Sequence, residues 1–126
     1  MTQLRDSDAT MTVAKPELQP APGDFGDLVR QAVKVSELLK ALSHETRLLI
    51  LCLLSEGEKS VSELETILGL PQAAVSQQLA RLRFDKLVST RRDGRMIHYR
   101  IDNDEAGAVI AALYDIFCKP IRQDTP

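Results

Sequence analysis

The stretch Leu70–Phe84, LPQAAVSQQLARLRF, constrains the fold more than any other part of the chain. Val75, Leu79 and Leu82 recur at three- and four-residue steps, so the spacing predicts a helix with one apolar stripe turned to a core. Pro71 suits its first position, where the missing N–H would have no intrahelical partner anyway. The other face carries Gln72, Ser76, Gln77, Arg81 and Arg83. Amides pair with adenine edges, and guanidiniums with guanine or phosphate, so this face suits the major groove of DNA. The same residues also describe an ordinary amphipathic surface helix; the flanking sequence shifts the balance.

Upstream, Ser60-Val61-Ser62-Glu63 has the spacing of a capping box and starts a helix through Leu64, Ile67 and Leu68 that stops at Gly69. Two helices joined by this tight turn make a helix-turn-helix. Downstream, Leu87–Thr90 and Met96–Ile101 alternate like strands around Arg91-Arg92-Asp93-Gly94-Arg95. Asp93-Gly94 signals a hairpin, since the turn needs positive φ angles that these residues tolerate. A basic hairpin directly after the second helix is a wing, with Arg91, Arg92, Arg95 and His98 placed to reach the DNA backbone and minor groove. The formal net charge of −2 does not announce a nucleic-acid binder. Its distribution does: between Gln72 and Arg100 stand Arg81, Arg83, Lys86, Arg91, Arg92, Arg95 and Arg100 against only Asp85 and Asp93.

A chain of 126 residues is expected to hold one domain, and with 4% aromatics and no Trp its core must be Leu, Ile, Val and Ala. Residues 1–23, with Pro16, Pro20 and Pro22, read as a disordered tail, 24–120 as the folded domain and 121–126 as a second tail. Asp24 is a plausible cap for a helix to about Ala41, whose stripe includes Phe25, Leu28, Val35 and Leu39. Ser43 is read as the cap of a helix from His44 to about Ser55, whose all-apolar centre Leu48–Leu54 makes a buried hub. Asn103 or Asp102 caps a last helix, Asp104 to Lys119, with Ala106, Val109, Ile110, Leu113, Ile116 and Phe117 on its apolar face and Pro120 at its end. The expected fold is therefore mainly α: five helices and a two-stranded wing, forming a homodimer through the first and last helices. Leu48–Leu54, the longest apolar run, is far too short to span a membrane, so a cytoplasmic chain with reduced cysteines is expected. No nucleophile with a paired base, phosphate loop or metal cluster is evident, so neither enzyme nor cofactor is expected.

Taken together, ALSHETRLLILCLL, SVSELETILGLPQAAVSQQLARLRFDKLV and RRDGRMIHYRI closely resemble the ArsR/SmtB type of bacterial winged-helix repressor, over roughly Leu28 to Lys119. The resemblance implies a homodimer that binds a palindromic operator and lets go when an inducer is sensed. Metal-sensing members carry Cys-x-Cys in the first helix of the helix-turn-helix, or Asp and His residues on the last helix. Here the first position reads Ser62-Glu63-Leu64-Glu65 and the last helix has no His, so no metal site is expected; His44 and His98 are scattered. Cys52 and Cys118 remain, on the second and last helices. One reading makes each a small core hydrophobe. The resemblance to the dithiol, persulfide-sensing (SqrR/BigR-like) branch implies instead that the pair reacts with persulfides and is joined by a disulfide or polysulfide bridge, derepressing sulfide-metabolism genes. Cys52, in an apolar helix, is expected to have a raised pKa, and Cys118 to lie near an unfavourable helix C-terminus. A peroxide-sensing or metal-responsive repressor of the same fold, and an interaction module that does not bind DNA, are the alternatives.

Overall fold

Helix α2, Glu45–Leu54, is the element around which the winged part of the chain is built, because Ile50, Leu51, Cys52, Leu53 and Leu54 are all buried. A helix apolar on every side must be surrounded, and α2 packs against three partners: α4 (Gln72–Phe84), α5 (Asp104–Leu113) and the strand Met96–Ile101. The computed structural model describes residues 24–123; the expected tail at 1–23 lies outside them, as do residues 124–126. The chain divides into two units, Met1–Leu39 and Lys40–Pro126. The described part of the first is one helix, α1, which runs from Asp24 through Leu42. Asp24 is thus already helical rather than a preceding cap. Phe25, Leu28, Val35 and Leu39 lie exposed along α1.

The start of α2 differs from expectation. His44, not Ser43, is the N-cap: its Nδ1 accepts from the backbone N–H of Thr46 at 3.2 Å and of Arg47 at 3.5 Å. The Ser43 hydroxyl instead donates to the Lys40 carbonyl at 2.8 Å, satisfying the end of α1. Imidazole nitrogen and hydroxyl oxygen both accept, and the hydroxyl was drawn to the orphaned carbonyls one turn back.

Helix α3, Val61–Leu68, begins and ends as its sequence predicts. Ser60 and Glu63 form the complete capping box, at 3.1 and 2.8 Å, and Gly69 closes the helix at φ +66°. Ser60 also belongs to a short strand, β1 (Lys59–Ser60), that the sequence did not disclose. It pairs with β3 (Met96–Ile101), which pairs with β2 (Val88–Asp93), so the wing is a three-stranded antiparallel sheet in the order β1-β3-β2. Asp93 pairs with Met96, which moves the hairpin turn one residue on from Asp93-Gly94 to Gly94-Arg95, with Gly94 at φ +65°.

In α4, Val75, Leu79 and Leu82 are fully buried, as the periodicity requires. Pro71 is its N-cap and Gln72 its first helical residue, one position later than expected. Its C-terminus is closed by a Schellman motif: Lys86 N–H reaches the Arg83 carbonyl at 3.0 Å and Leu87 N–H the Leu82 carbonyl at 3.0 Å. The left-handed position, normally glycine, is Lys86, at φ +61°.

Asn103 caps α5 by accepting from Ala106 N–H at 3.0 Å. Pro120 does not end this last helical run. A π turn, Tyr114–Cys118, follows α5 and leads into α6, Lys119–Gln123, which contains Pro120. Proline in an α-helix collides with the carbonyl four residues back; the wider π turn immediately before it relieves that collision. The turn also re-aims the helix. At about 100° per residue, Arg122 in an unbroken α-helix would stand about 120° round from the buried Ile110. The surplus residue takes back about 100°, which brings Arg122 and Cys118 towards the Ile110 side. Ile116 and Phe117, expected on the apolar face, are 64% and 66% exposed.

Lys86 is where sequence and backbone disagree most. Lys86→Gly removes the penalty of a left-handed side chain, which outweighs the added freedom of the unfolded chain. The variant is expected to be more stable by about 1 kcal/mol, read as a rise of a few degrees in the midpoint of thermal unfolding.

Candidate functional site

Two groups of residues carry chemistry, one on α4 and the wing, the other where α2 meets the π turn. On α4, Gln72, Ser76, Gln77 and Arg81 all lie on the exposed side, opposite the buried Val75 and Leu79. Gln78, between them and the core, accepts from Arg47 Nη1 at 3.3 Å, and Arg47 Nε donates to the Ala41 carbonyl at 2.9 Å. Arg81 itself is paired with Asp85, one turn on, at 3.2 Å.

The four basic wing residues fall into two pairs. Arg92 and Arg95 are exposed and have no hydrogen bond or ion pair among the described residues. Arg91 is engaged: its Nη2 donates to Glu58 Oε1 at 2.6 Å and its Nε to both carboxylate oxygens at 3.1 and 3.2 Å. This fork holds the Glu58 carboxyl below the usual range. His98 faces Arg91 across the sheet and Ser60 on the other side. It is half-buried. Glu58 has no motif around it to mark it in the sequence.

In the second group, Cys52 is 6% exposed and Cys118 half-buried, and both are free thiols. Though far apart in the chain, they lie near enough to each other for Cys118 to act on the Cys52 thiol. Burial first, then the neighbouring sulfur, pushes the Cys52 thiol up to about 12. This agrees in direction with the expectation for a cysteine in an apolar helix. Cys118 is not at a helix end, because the run continues through α6.

One turn beyond Cys52 stands Glu56, which sequence reasoning passed over. Its carboxylate collects three donors. Arg122 Nε donates to Oε2 at 2.6 Å and Nη2 to Oε1 at 3.1 Å, the Tyr114 hydroxyl donates to Oε2 at 2.7 Å, and Lys59 Nζ lies 3.3 Å from Oε1. The Arg122 guanidinium, more than the other donors, holds the Glu56 carboxyl down at about 2 against the cost of its burial. Each donor's own hydrogen bond to Glu56 in turn raises it, the Tyr114 hydroxyl in one case and the Arg122 guanidinium in the other. Among the described residues, no group of three or more His, Cys, Asp or Glu could hold a metal ion, and no helix is long and apolar enough to cross a membrane.

Comparison with known proteins matches these features to one family. Residues 44–90 match the family model described as "Bacterial regulatory protein, arsR family". A biofilm growth-associated repressor of Agrobacterium fabrum is 44% identical over 104 residues, covering 79% of this chain and 89% of that protein. The transcriptional activator HlyU of Vibrio cholerae is 40% identical over 104 residues, covering 82% and 96%. Among solved structures, the transcriptional repressor BigR from Xylella fastidiosa superposes with a TM-score of 0.70 at 44% identity, covering 79% of this chain and 96% of that one. HlyU from Vibrio vulnificus gives 0.71 at 42% identity, covering 73% and 96%. With its helix-turn-helix, wing and these relatives, the chain belongs to the bacterial ArsR family of winged helix-turn-helix proteins, on its BigR-like branch, and is a DNA-binding transcriptional regulator rather than an enzyme.

Proposed function

We propose that this regulator is a cytoplasmic repressor that holds a palindromic operator as a homodimer while Cys52 and Cys118 are thiols, and releases it once reactive sulfur has joined them. The observation that carries this reading is the nearness of the two cysteines, supplied by α2 and the π turn. Cys118, the more exposed of the two, attacks first. Its thiolate takes the outer sulfur of an organic persulfide, RS⁻ leaves, and Cys118 becomes a persulfide. Cys52 then attacks the Cys118 Sγ, and hydrogen sulfide departs with the Cys52 proton, leaving a disulfide. If Cys52 has been persulfidated as well, condensation of the two persulfides expels one hydrogen sulfide and leaves a trisulfide. Sulfide-metabolism genes are the targets that the resemblance implies.

On DNA, Gln72, Ser76, Gln77 and Arg81 face the major groove, and Arg92 and Arg95 reach the backbone and minor groove from the wing tip. Arg91 joins them by exchanging the Glu58 carboxylate for phosphate, and His98 joins them from the neighbouring strand. The exposed stripe of α1 and the exposed Ile116, Phe117 and Ile121 of the last helical run are the surfaces through which two copies associate, which supports the homodimer. Two α4 helices on adjacent half-sites must stand about 34 to 36 Å apart. A bridge that shifts the last helical run disturbs that spacing and weakens binding by about 5- to 150-fold, the usual size of such coupling.

Operator binding by Cys52→Ser and Cys118→Ser, with and without an organic persulfide, tests the sensing step. Both variants are expected to keep the operator under treatment that releases the unmodified chain. Full release by either one removes the dithiol from the mechanism. Mass spectrometry of the treated chain separates a plain disulfide, which peroxide also gives, from a bridge with added sulfur.

Arg92→Ala is expected to flatten the dependence of log affinity on log salt by about one, equally on operator and unrelated duplex. Gln77→Ala should instead lower the preference for operator, by about 1 to 3 kcal/mol. Affinity insensitive to salt would mark the chain as an interaction module.

Glu58→Gln leaves Arg91 without its carboxylate. Tighter binding to any duplex, by about threefold or more at low salt, is the expected result, measured by fluorescence anisotropy. Unchanged affinity would remove Arg91 from the DNA interface.

A further inference from the structure

The Glu56 cluster stands one turn away from the two cysteines on both of the elements that carry them. Cys52 and Glu56 are four residues apart at the end of α2; Tyr114, Cys118 and Arg122 are spaced by four through the π turn and α6. The sulfur pair and the carboxylate with its donors are therefore two adjacent rungs between the same two elements. The upper rung is two neighbouring thiols, one buried and one half-buried, with no strong bond between them. The lower is a two-pronged guanidinium–carboxylate pair reinforced by a phenol and an ammonium, around a Glu56 side chain only 18% exposed. Such a fork fixes both distance and angle, whereas a thiol contact fixes neither strongly.

We infer that Glu56, Tyr114 and Arg122 are positioning residues for the Cys52/Cys118 pair: their network clamps the last helical run onto the end of α2 and sets the effective concentration of one sulfur at the other. The inference rests on the proposed dithiol chemistry for its purpose, but not for its test. Closing an intramolecular bridge is favoured in proportion to how often its ends already lie together. Without the fork, the run from Tyr114 to Gln123 keeps the π turn but loses its strongest tie to α2. Cys118 then samples positions away from Cys52, and the bridge becomes harder to form and easier to reduce. The π turn belongs to the same device, since it is what carries Arg122 round to the Glu56 side.

The test is the thiol–disulfide equilibrium of the full chain in glutathione buffers, read by thiol alkylation and intact mass. Each Cys52–Cys118 bridge formed gives up two protons and two electrons; one glutathione disulfide takes them and leaves as two glutathione molecules. Glu56→Gln preserves side-chain size and removes the charge that Arg122 grips. Its equilibrium constant for bridging is expected to fall about tenfold, which for a two-electron couple is about 30 mV. Tyr114→Phe deletes one hydrogen bond and should lower the constant about threefold. The charge-swapped pair Glu56→Arg with Arg122→Glu should recover part of the loss.

A purely structural role would lower the thermal midpoint without moving this equilibrium. A folded Glu56→Gln chain whose constant stays within about twofold of the unmodified chain overturns the inference. If that variant does not fold, an unshifted equilibrium in Tyr114→Phe overturns it equally. The measurement needs no DNA. A chain that bridges as expected yet keeps its operator defeats the sensing proposal and leaves the clamp standing; an unmoved equilibrium defeats the clamp and leaves sensing untouched.

Discussion

The burial of α2 from Ile50 to Leu54 governs the rest of the winged unit, although Leu49, expected in the same buried hub, is 49% exposed. Ile50 through Leu54 leave no face for solvent, so α4, α5 and the central strand of the sheet must all come to it. With about 25 cal/mol for each Å² of apolar surface removed from water, enclosing such a helix is the largest single term available to a core that has so few aromatic side chains. That enclosure also fixes the addresses of the chemical groups. Cys52 sits within the enclosed stretch, and Glu56 and Glu58 follow directly after it. The helix and the turn that follows it thereby present a thiol to the last helical run, a carboxylate to the same run, and a second carboxylate to the wing. The sulfur pair and the DNA-facing elements are separated in the chain but share this hub.

Local signals were legible and long-range ones were not. Ser60, Glu63 and Gly69 announce α3 because a capping box and a left-handed cap involve residues at most four apart. The stripe of Val75, Leu79 and Leu82 announces the buried face of α4 for the same reason. His44 displaced Ser43 as a cap because both side chains accept hydrogen bonds, and only the three-dimensional end of α1 decides which hydroxyl is needed elsewhere. β1 was invisible because two residues show no alternation. The fork between Arg91 and Glu58 spans 33 residues and that between Arg122 and Glu56 spans 66, so neither leaves any periodic trace.

The last helical run shows a different limit. A reading that assumes 3.6 residues per turn places Phe117 with Ile110 and stops the helix at Pro120. The π turn breaks that assumption once, and every residue beyond it changes face. Exposed apolar side chains and an inward-turned arginine are two results of the same surplus residue. Cys52 and Cys118 lie near each other, yet the side chains that fasten their elements together belong to a register that no uniform period describes.

Ser60 has a double membership whose consequence is mechanical. Its backbone is hydrogen-bonded into the sheet opposite His98, while its side chain and Glu63 close the first turn of α3. A residue shared in this way acts as a weld: α3 cannot pivot without dragging the sheet, and α4 is joined to α3 through a turn of only a few residues. A shift of α3 is therefore coupled through this one residue to the sheet, and through the short turn to α4.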